Sequence, residues 1–441
     1  LRLGNMEPFV LRGYIDEWPA MKWTPETLCD YVRPTSTTKH LKLRFGSRKH
    51  IRGNVLFENE SKYLSIKKLD DMLKWFIDDV PFCKDDDNAD SQIQRDTHWA
   101  YFDYKYVFEV MNPERINDID WKVFGVNVNP VDSTIWIGTP GAYTPCHFDS
   151  YGFNLHAQLH GAKRWILMEP QEEMKPTRIP YEESTVFSRV DVIGGDPYLK
   201  DVPLRTVTLN RGDVLFVPPG WWHSVQCVTP GGCDLVSKDA VSVSVNTWIP
   251  VPIFDRIGRA REAAASAIVS LLAECQLIKT ADLCPSESAL CLGDSMDVLG
   301  AVIDDLKTDC DEEDDETTSE NAVGNTTLSG EPPSSKRLKC DQADNSCEVK
   351  ISSTEKDAGQ LHVFLKRYED SGITVPSISY ENLLKELRSG PLELDDSELN
   401  DQKQNETASS RKYLETRRFL DALTCPETMQ TIVDHMLNWE S

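Results

Sequence analysis

No run of about 18 consecutive apolar residues occurs in the chain, so no segment is expected to span a membrane as a helix. The visible start, which opens on Leu1 rather than Met, lacks the basic-then-apolar layout of a signal peptide. The true start is expected to lie outside the sequence. The twelve cysteines never stand as Cys-x-x-Cys, which argues against a zinc ribbon or a thioredoxin-type motif. No Cys/His cluster of the PHD type is present either, which disfavours a histone demethylase. Scattered thiols fit a reducing compartment. The cytoplasm is expected, with the nucleus as the alternative suggested by the short basic cluster at 335–339. The sequons at Asn325 and Asn405 read as chance matches. Positive charge is also in deficit: 47 Lys and Arg stand against 72 Asp and Glu, a net charge of −25. The excess is uneven, with 28 basic and 34 acidic residues before position 251 and 19 and 38 after it. Such a balance argues against tight nucleic-acid binding.

What is present suits a large core, since 40% of the residues are hydrophobic. Residues 13–33 and 64–79 read as helices, the second from Leu64, Leu69, Leu73 and Ile77. Residues 41–46 alternate and read as a strand. From Val131 short strands dominate, among them TIWIG, FNLHAQL, KRWILM, RTVTL, DVLFVP and VSVSVNTW. Turn residues separate them, which predicts a sandwich or barrel. Residues 253–275 read as an amphipathic helix with Ile253, Ile257, Ala260, Ala264, Ile268 and Leu271 on one face. That helix is expected to pack on the barrel or to form a homodimer. The expected organisation is a domain over 1–250, a helical extension over 251–304, a disordered acidic linker over 305–358 and a helical module over 359–441. The linker is too polar and too acidic to bury a core.

The stretch TPCHFDSYGFNLHAQLHGAKRW, residues 144–165, places many ionisable groups on strand-like sequence. His147 and Asp149 are two apart and share a face of a strand. His223 ends an apolar strand in GDVLFVPPGWWHSV. Two imidazoles and one carboxylate on one face of an octahedral metal leave three open positions, the arrangement of Fe(II) oxygenases. A lone His-x-Asp pair would more often be a hydrogen-bonded structural pair. The frame Gly141-x5-His147-x-Asp149, followed by Gly212-x5-Pro218-x-Gly220-x2-His223, favours metal. An inward Lys163 needs an anion, which the far carboxylate of a dicarboxylic keto acid would supply. Thr144 could donate a hydroxyl to the same carboxylate. Ser242, Ser244 and Asn246 face opposite to Val241, Val243 and Val245, and Asn154 alternates with Leu155. His156 and His160 are set aside as ligands, because spacing by four has no meaning on a strand. Cys146 should face the core, and Trp221 and Trp222 are core or pocket wall.

The two frames match the metal-binding motifs of cupin-like jelly rolls. The stretches STIWIGTPGAYTPCHFDSYGFNL, TRIPYEESTVFS and PPGWWHSVQ resemble the JmjC-domain family of Fe(II)/2-oxoglutarate dioxygenases, in its factor-inhibiting-HIF-like group. The likeness covers about residues 5–250. It implies a double-stranded β-helix, mainly β with flanking helices. It implies iron ligands His147, Asp149 and His223, and 2-oxoglutarate contacts from Thr144, Lys163, Asn154 and Asn246. The family's cosubstrate tyrosine falls in WAYFDYKY, where Tyr101 is chosen over Tyr104. The implied activity is hydroxylation of a protein side chain with Fe(II), 2-oxoglutarate and dioxygen. Within the group, the likeness to members associated with a small heat-shock protein implies such a partner. A catalytically silent scaffold for that partner is the first alternative and an RNA hydroxylase the second. The latter rests on the basic stretch 39–52, which reads otherwise as a solvated edge strand.

Overall fold

The computed structural model describes residues 6–34, 40–57, 61–82, 93–170, 174–182, 184–279, 291–315, 355–395 and 408–438. Two antiparallel sheets, one of nine strands and one of seven, carry the chain from Phe9 to Ile249. The centre of the larger sheet is formed by Asp213–Val217, Phe153–His160, Ser242–Ile249, Thr134–Gly138 and His98–Tyr106. The centre of the smaller is formed by Thr185–Ser188, Tyr143–Asp149, Trp222–Val228, Ala162–Met168 and Leu204–Asn210. Consecutive strands therefore switch sheets, as a double-stranded β-helix requires.

Alternation explains why the interior between the sheets is polar. Val241, Val243, Val245, Leu155 and Ala157 point out of the larger sheet into a core with Trp18, Trp23, Trp75, Trp121 and Phe124. Their neighbours Ser244, Asn246, Asn154 and His156 therefore point inward and are buried. On the smaller sheet, Cys146, Ile166, Met168 and Trp222 point outward into a second core, and His147, Lys163 and His223 point in. Trp221 joins the apolar plug that closes one end of the barrel.

The helices before the barrel are shorter than their sequence pattern predicts. Residues 13–33 hold a 3-10 turn at Pro19–Lys22 and a helix at Pro25–Tyr31, each started by a proline, which suits a first turn but not an interior. Residues 64–79 split between the strand Lys62–Ile66 and the helix Leu69–Asp78. That strand pairs with Leu41–Ser47, which also pairs with His98–Tyr106 and so is not an edge. The basic stretch is correspondingly split: Lys42 and Lys49 face solvent, while Arg44 and Arg48 are buried. Arg44 is buried against Asp103 at 2.5 Å and donates to the Tyr143 carbonyl, and Arg48 donates to the carbonyls of Arg95 and Pro140.

The helix expected at 253–275 spans Pro252–Glu274 and buries part of the expected face, with Ala260 and Ala264 covered and Ile268 packed beside them. Ala260, Ala263, Ala264 and Ala267 are covered, while Ile257 and Leu271 are 48% and 47% exposed. Alanines allow close approach of Leu292–Asp315 and Pro426–Leu437, which complete a helical cluster with Ala408–Leu423. The helix Leu292–Asp315 runs past the expected boundary at 304. Residues 316–354, with the rest of the acidic linker, the basic cluster and Asn325, lie outside the described residues, as does Asn405.

Residues 359–390 are not purely helical. Between the helices Glu355–Tyr368 and Tyr380–Arg388, Ile373–Thr374 adds to Phe9–Arg12, and Ser377–Ile378 adds to Leu204–Asn210. Glu393–Asp395 pairs with Lys49–Ile51. Phe364 packs on Phe9, Phe153 and Phe216 at 6.1, 5.2 and 5.3 Å between ring centroids. The tail is thus a structural part of the barrel. Phe364→Ala is expected to lower the stability of the barrel by about 3–5 kcal/mol, read as a lower urea midpoint. A barrel midpoint that stays unchanged would make the tail a separate module.

Candidate metal centre

Proline at 145 and the Pro218-Pro219-Gly220 turn bring the two motif strands together. His147 and His223 sit directly opposite each other, with ring centroids 4.2 Å apart. Asp149 follows on the same face, its Oδ1 4.0 Å from His147 Nε2. One ligand atom from each of the three lies within 4.8 Å of the other two, and this is the one such group of His, Cys, Asp and Glu among the described residues.

The tautomers follow from the hydrogen bonds. His147 Nδ1 is 2.8 Å from the Pro145 carbonyl, and His223 Nδ1 is 2.9 Å from the Trp221 carbonyl. A carbonyl only accepts, so each Nδ1 carries the proton and each Nε2 keeps its lone pair. Burial, and next the neighbouring His223 ring, hold the His147 pKa well below the ordinary range. Two neutral imidazoles and a carboxylate with converging lone pairs fit a divalent cation of the first transition row.

A chain of amides holds the carboxylate. Asn154 Nδ2 donates to Asp149 Oδ2 at 3.3 Å, and Asn246 Nδ2 donates to Asn154 Oδ1 at 3.1 Å. Trp136 Nε1 donates to Asn246 Oδ1 at 2.7 Å, and the Thr134 hydroxyl donates to the same oxygen. Asn154 thus touches the ligand carboxylate, Asn246 braces Asn154 from behind, and both line the same cavity as the triad. Asn154→Ala is expected to weaken Mn(II) binding about 10- to 100-fold, the usual worth of a partner behind a ligand. An unchanged Mn(II) affinity would contradict this positioning role.

Lys163 lies deeper, 1% exposed. Its Nζ donates to Ser244 Oγ at 2.7 Å and sits 5.5 Å from the Tyr101 ring centroid and 5.3 Å from that of Trp136. Burial lowers its pKa to about 8, and no carboxylate lies within ion-pair reach among the described residues. Tyr101 and Thr144 line the same part of the cavity, and burial pushes the Tyr101 phenol well above its ordinary pKa. Gly138 makes this packing feasible: a Cβ there would stand 2.7 Å from Cys227 Sγ and 2.9 Å from Tyr101. Tyr101, Thr144 and Lys163 therefore form one end of the cavity. Tyr104 lines it elsewhere, with its hydroxyl 3.2 Å from Ser184 Oγ and its ring against Trp248.

Trp165 and Phe187 are among the cavity residues that the sequence does not single out. Trp165 lies against His223 and His156, with centroid distances of 5.3 and 4.8 Å. Its parity with Lys163 was the available signal. His156 lines the cavity without joining the triad, and parity with Asn154 would have placed it there. Phe187 packs 5.8 Å from His147 from a strand without metal-ligand types. His160 is held by its Nδ1 to the Val241 carbonyl at 2.8 Å and takes no part in the site.

A family model described as a cupin-like domain matches residues 3–250. The chain is 39% identical over 283 residues to the HSPB1-associated protein 1 homolog of Danio rerio, covering 60% of this chain and 56% of that protein. It is 35% identical over 279 residues to HSPB1-associated protein 1 of Homo sapiens, covering 60% and 52%. It is 27% identical over 244 residues to JmjC domain-containing protein D of Dictyostelium discoideum, covering 50% and 49%. The chain thus spans about half the length of the relatives it matches. With its two sheets, its paired motifs and a match over more than half of its length, the chain belongs to the cupin-like family, in the JmjC branch.

Proposed function

We propose that the protein is an Fe(II)- and 2-oxoglutarate-dependent dioxygenase that hydroxylates a protein side chain. The observation that carries this reading is the pairing, in one cavity, of a His-Asp-His triad with a buried lysine that has no carboxylate within ion-pair reach among the described residues. His147, Asp149 and His223 would hold the metal, which when bound supplies activation of dioxygen coupled to oxidative decarboxylation of the keto acid. Lys163 supplies a charge-assisted hydrogen bond to the far carboxylate of the cosubstrate, and Thr144 and Tyr101 supply neutral ones. Asn154, anchored through Asn246, keeps Asp149 turned toward the two imidazoles. Trp165 and Phe187 wall the triad with apolar surface and limit access of water.

Release of succinate from 2-oxoglutarate by the purified chain with Fe(II) in air tests the reading. Succinate above the level of Asp149→Ala supports it, and equal levels count against it. A second reading is favoured by the relatives named for association with HSPB1: the chain would bind a small heat-shock protein. The two readings are compatible. Binding of such a partner by Asp149→Ala as tightly as by the wild type would separate the scaffold role from catalysis.

A further inference from the structure

A second cavity lies on the outer face of the seven-stranded sheet, away from the triad. Strand parity creates it. Lys163 points inward, so Arg164 points outward, opposite Gln226 on the neighbouring strand. The segment from Arg388 to Leu394 closes over both. Arg164 is 8% exposed, and its Nη1 is buried with no hydrogen-bond partner. Gln226 Oε1 is buried in the same condition. A Cβ at Gly390 would stand 3.7 Å from Arg164 Nη2 and from Gln226 Oε1, so the two groups share one spot under that glycine.

Arg52 and Arg388 line the same cavity, with Glu393 as the one acidic side chain on its wall. Arg52 is fixed in place, donating to the Gly194 and Gly195 carbonyls at 2.5 and 3.0 Å. Arg388 is exposed. The helix Tyr380–Arg388 ends here, and its Lys385 and Leu387 carbonyls accept from Ser389 and from Ser389 and Gly390. Those carbonyls are therefore satisfied. Glu386 partly balances Arg164. Three guanidiniums around one cavity stand out in a chain of net charge −25. Val228, Leu392 and Leu394 add an apolar wall.

A buried guanidinium edge left without a partner is costly unless an acceptor fills it. Guanidinium forks match planar or tetrahedral oxyanions. We propose that this cavity is a binding site for a phosphate oxyanion, either free inorganic phosphate or a phosphate monoester whose organic part lies on the apolar wall. The strand Glu393–Asp395 and the helix Tyr380–Arg388 belong to the tail, so the ligand would also fasten the tail to the barrel.

The test is calorimetric titration of the full chain with inorganic phosphate and with phenyl phosphate, at an ionic strength held constant with sodium chloride. Saturable binding is expected with at least one of them. Arg388→Ala, at an exposed position that should not disturb folding, is expected to weaken it about tenfold, the effect of one lost charged hydrogen bond. Arg164→Gln is expected to weaken it at least as much. Both should remove the phosphate-dependent slowing of hydrogen exchange in residues 380–395. His147→Ala should bind like the wild type, which separates this site from the metal centre. Tighter phenyl phosphate identifies a monoester site, and tighter inorganic phosphate identifies a free-phosphate site. Absence of binding with both, or both arginine variants titrating like the wild type, would overturn the proposal.

Discussion

His147→Ala is expected to lower Mn(II) affinity by more than 100-fold while leaving the fold intact. The lower bound follows from comparison. Even a partner behind a metal ligand is worth about 10–100-fold, and His147 is itself one of three ligands. The fold should survive because His147 is bound to the sheet through its backbone and packs beside Phe187 and His223, which remain. The variant also relieves the burial of an imidazole whose pKa is already held low. Electron paramagnetic resonance of free Mn(II) measures the loss, and circular dichroism checks the fold. Retention of wild-type affinity would mean that the metal sits elsewhere.

Lys163→Met separates the cosubstrate from the metal. The ammonium is buried and hydrogen-bonded to Ser244, and a bound dicarboxylate would be its counter-ion. Removing one partner of such a pair costs about 2–5 kcal/mol, or roughly thirtyfold to several thousandfold in 2-oxoglutarate affinity. Mn(II) affinity should not change. Stability of the ligand-free chain should move the other way. The folded-state value of about 8 lies below the ordinary 10.5, so the unfolded chain binds this proton more tightly. The cost of burying the charge is absent above the unfolded value and grows as the pH falls toward the folded value. At pH 7 the methionine variant should therefore be more stable, by about 3 kcal/mol as an order of magnitude. In the wild type, 2-oxoglutarate affinity should fall as the pH rises above about 8, and the variant should lose that dependence. A variant that binds 2-oxoglutarate like the wild type would move the carboxylate site away from Lys163.

The triad was legible because strand parity makes residues two apart share a face, and because in each frame a glycine turn precedes the strand that carries the histidine. The same parity put Ser244, Asn246 and Asn154 inside. Parity says which face a residue takes, however, and not what it meets there. Asn154 and Asn246 were expected to contact the cosubstrate; in addition, Asn154 lies one hydrogen bond from the ligand carboxylate and Asn246 two. The arginines of residues 39–52 looked like surface charge because their partners, Asp103 and the carbonyls of Tyr143 and Pro140, are distant in sequence. The tail strands are two or three residues long, too short to show a period, and their partners are strands at the start and middle of the chain. The helix Pro252–Glu274 was legible in part: Ala260, Ala264 and Ile268 pack as expected, whereas Ile257 and Leu271 stay exposed, because its partner helices lie far along the chain and shift the contact face toward Ala263, Ala267 and Val269.

The central claim is that one cavity holds a divalent metal and the keto acid together. Titration of 2-oxoglutarate into the wild-type chain by calorimetry, with and without Mn(II) as a redox-silent metal, tests it most directly. The account predicts one binding site that requires Mn(II) and disappears in His147→Ala. Absence of 2-oxoglutarate binding by folded wild-type protein saturated with Mn(II) would contradict it.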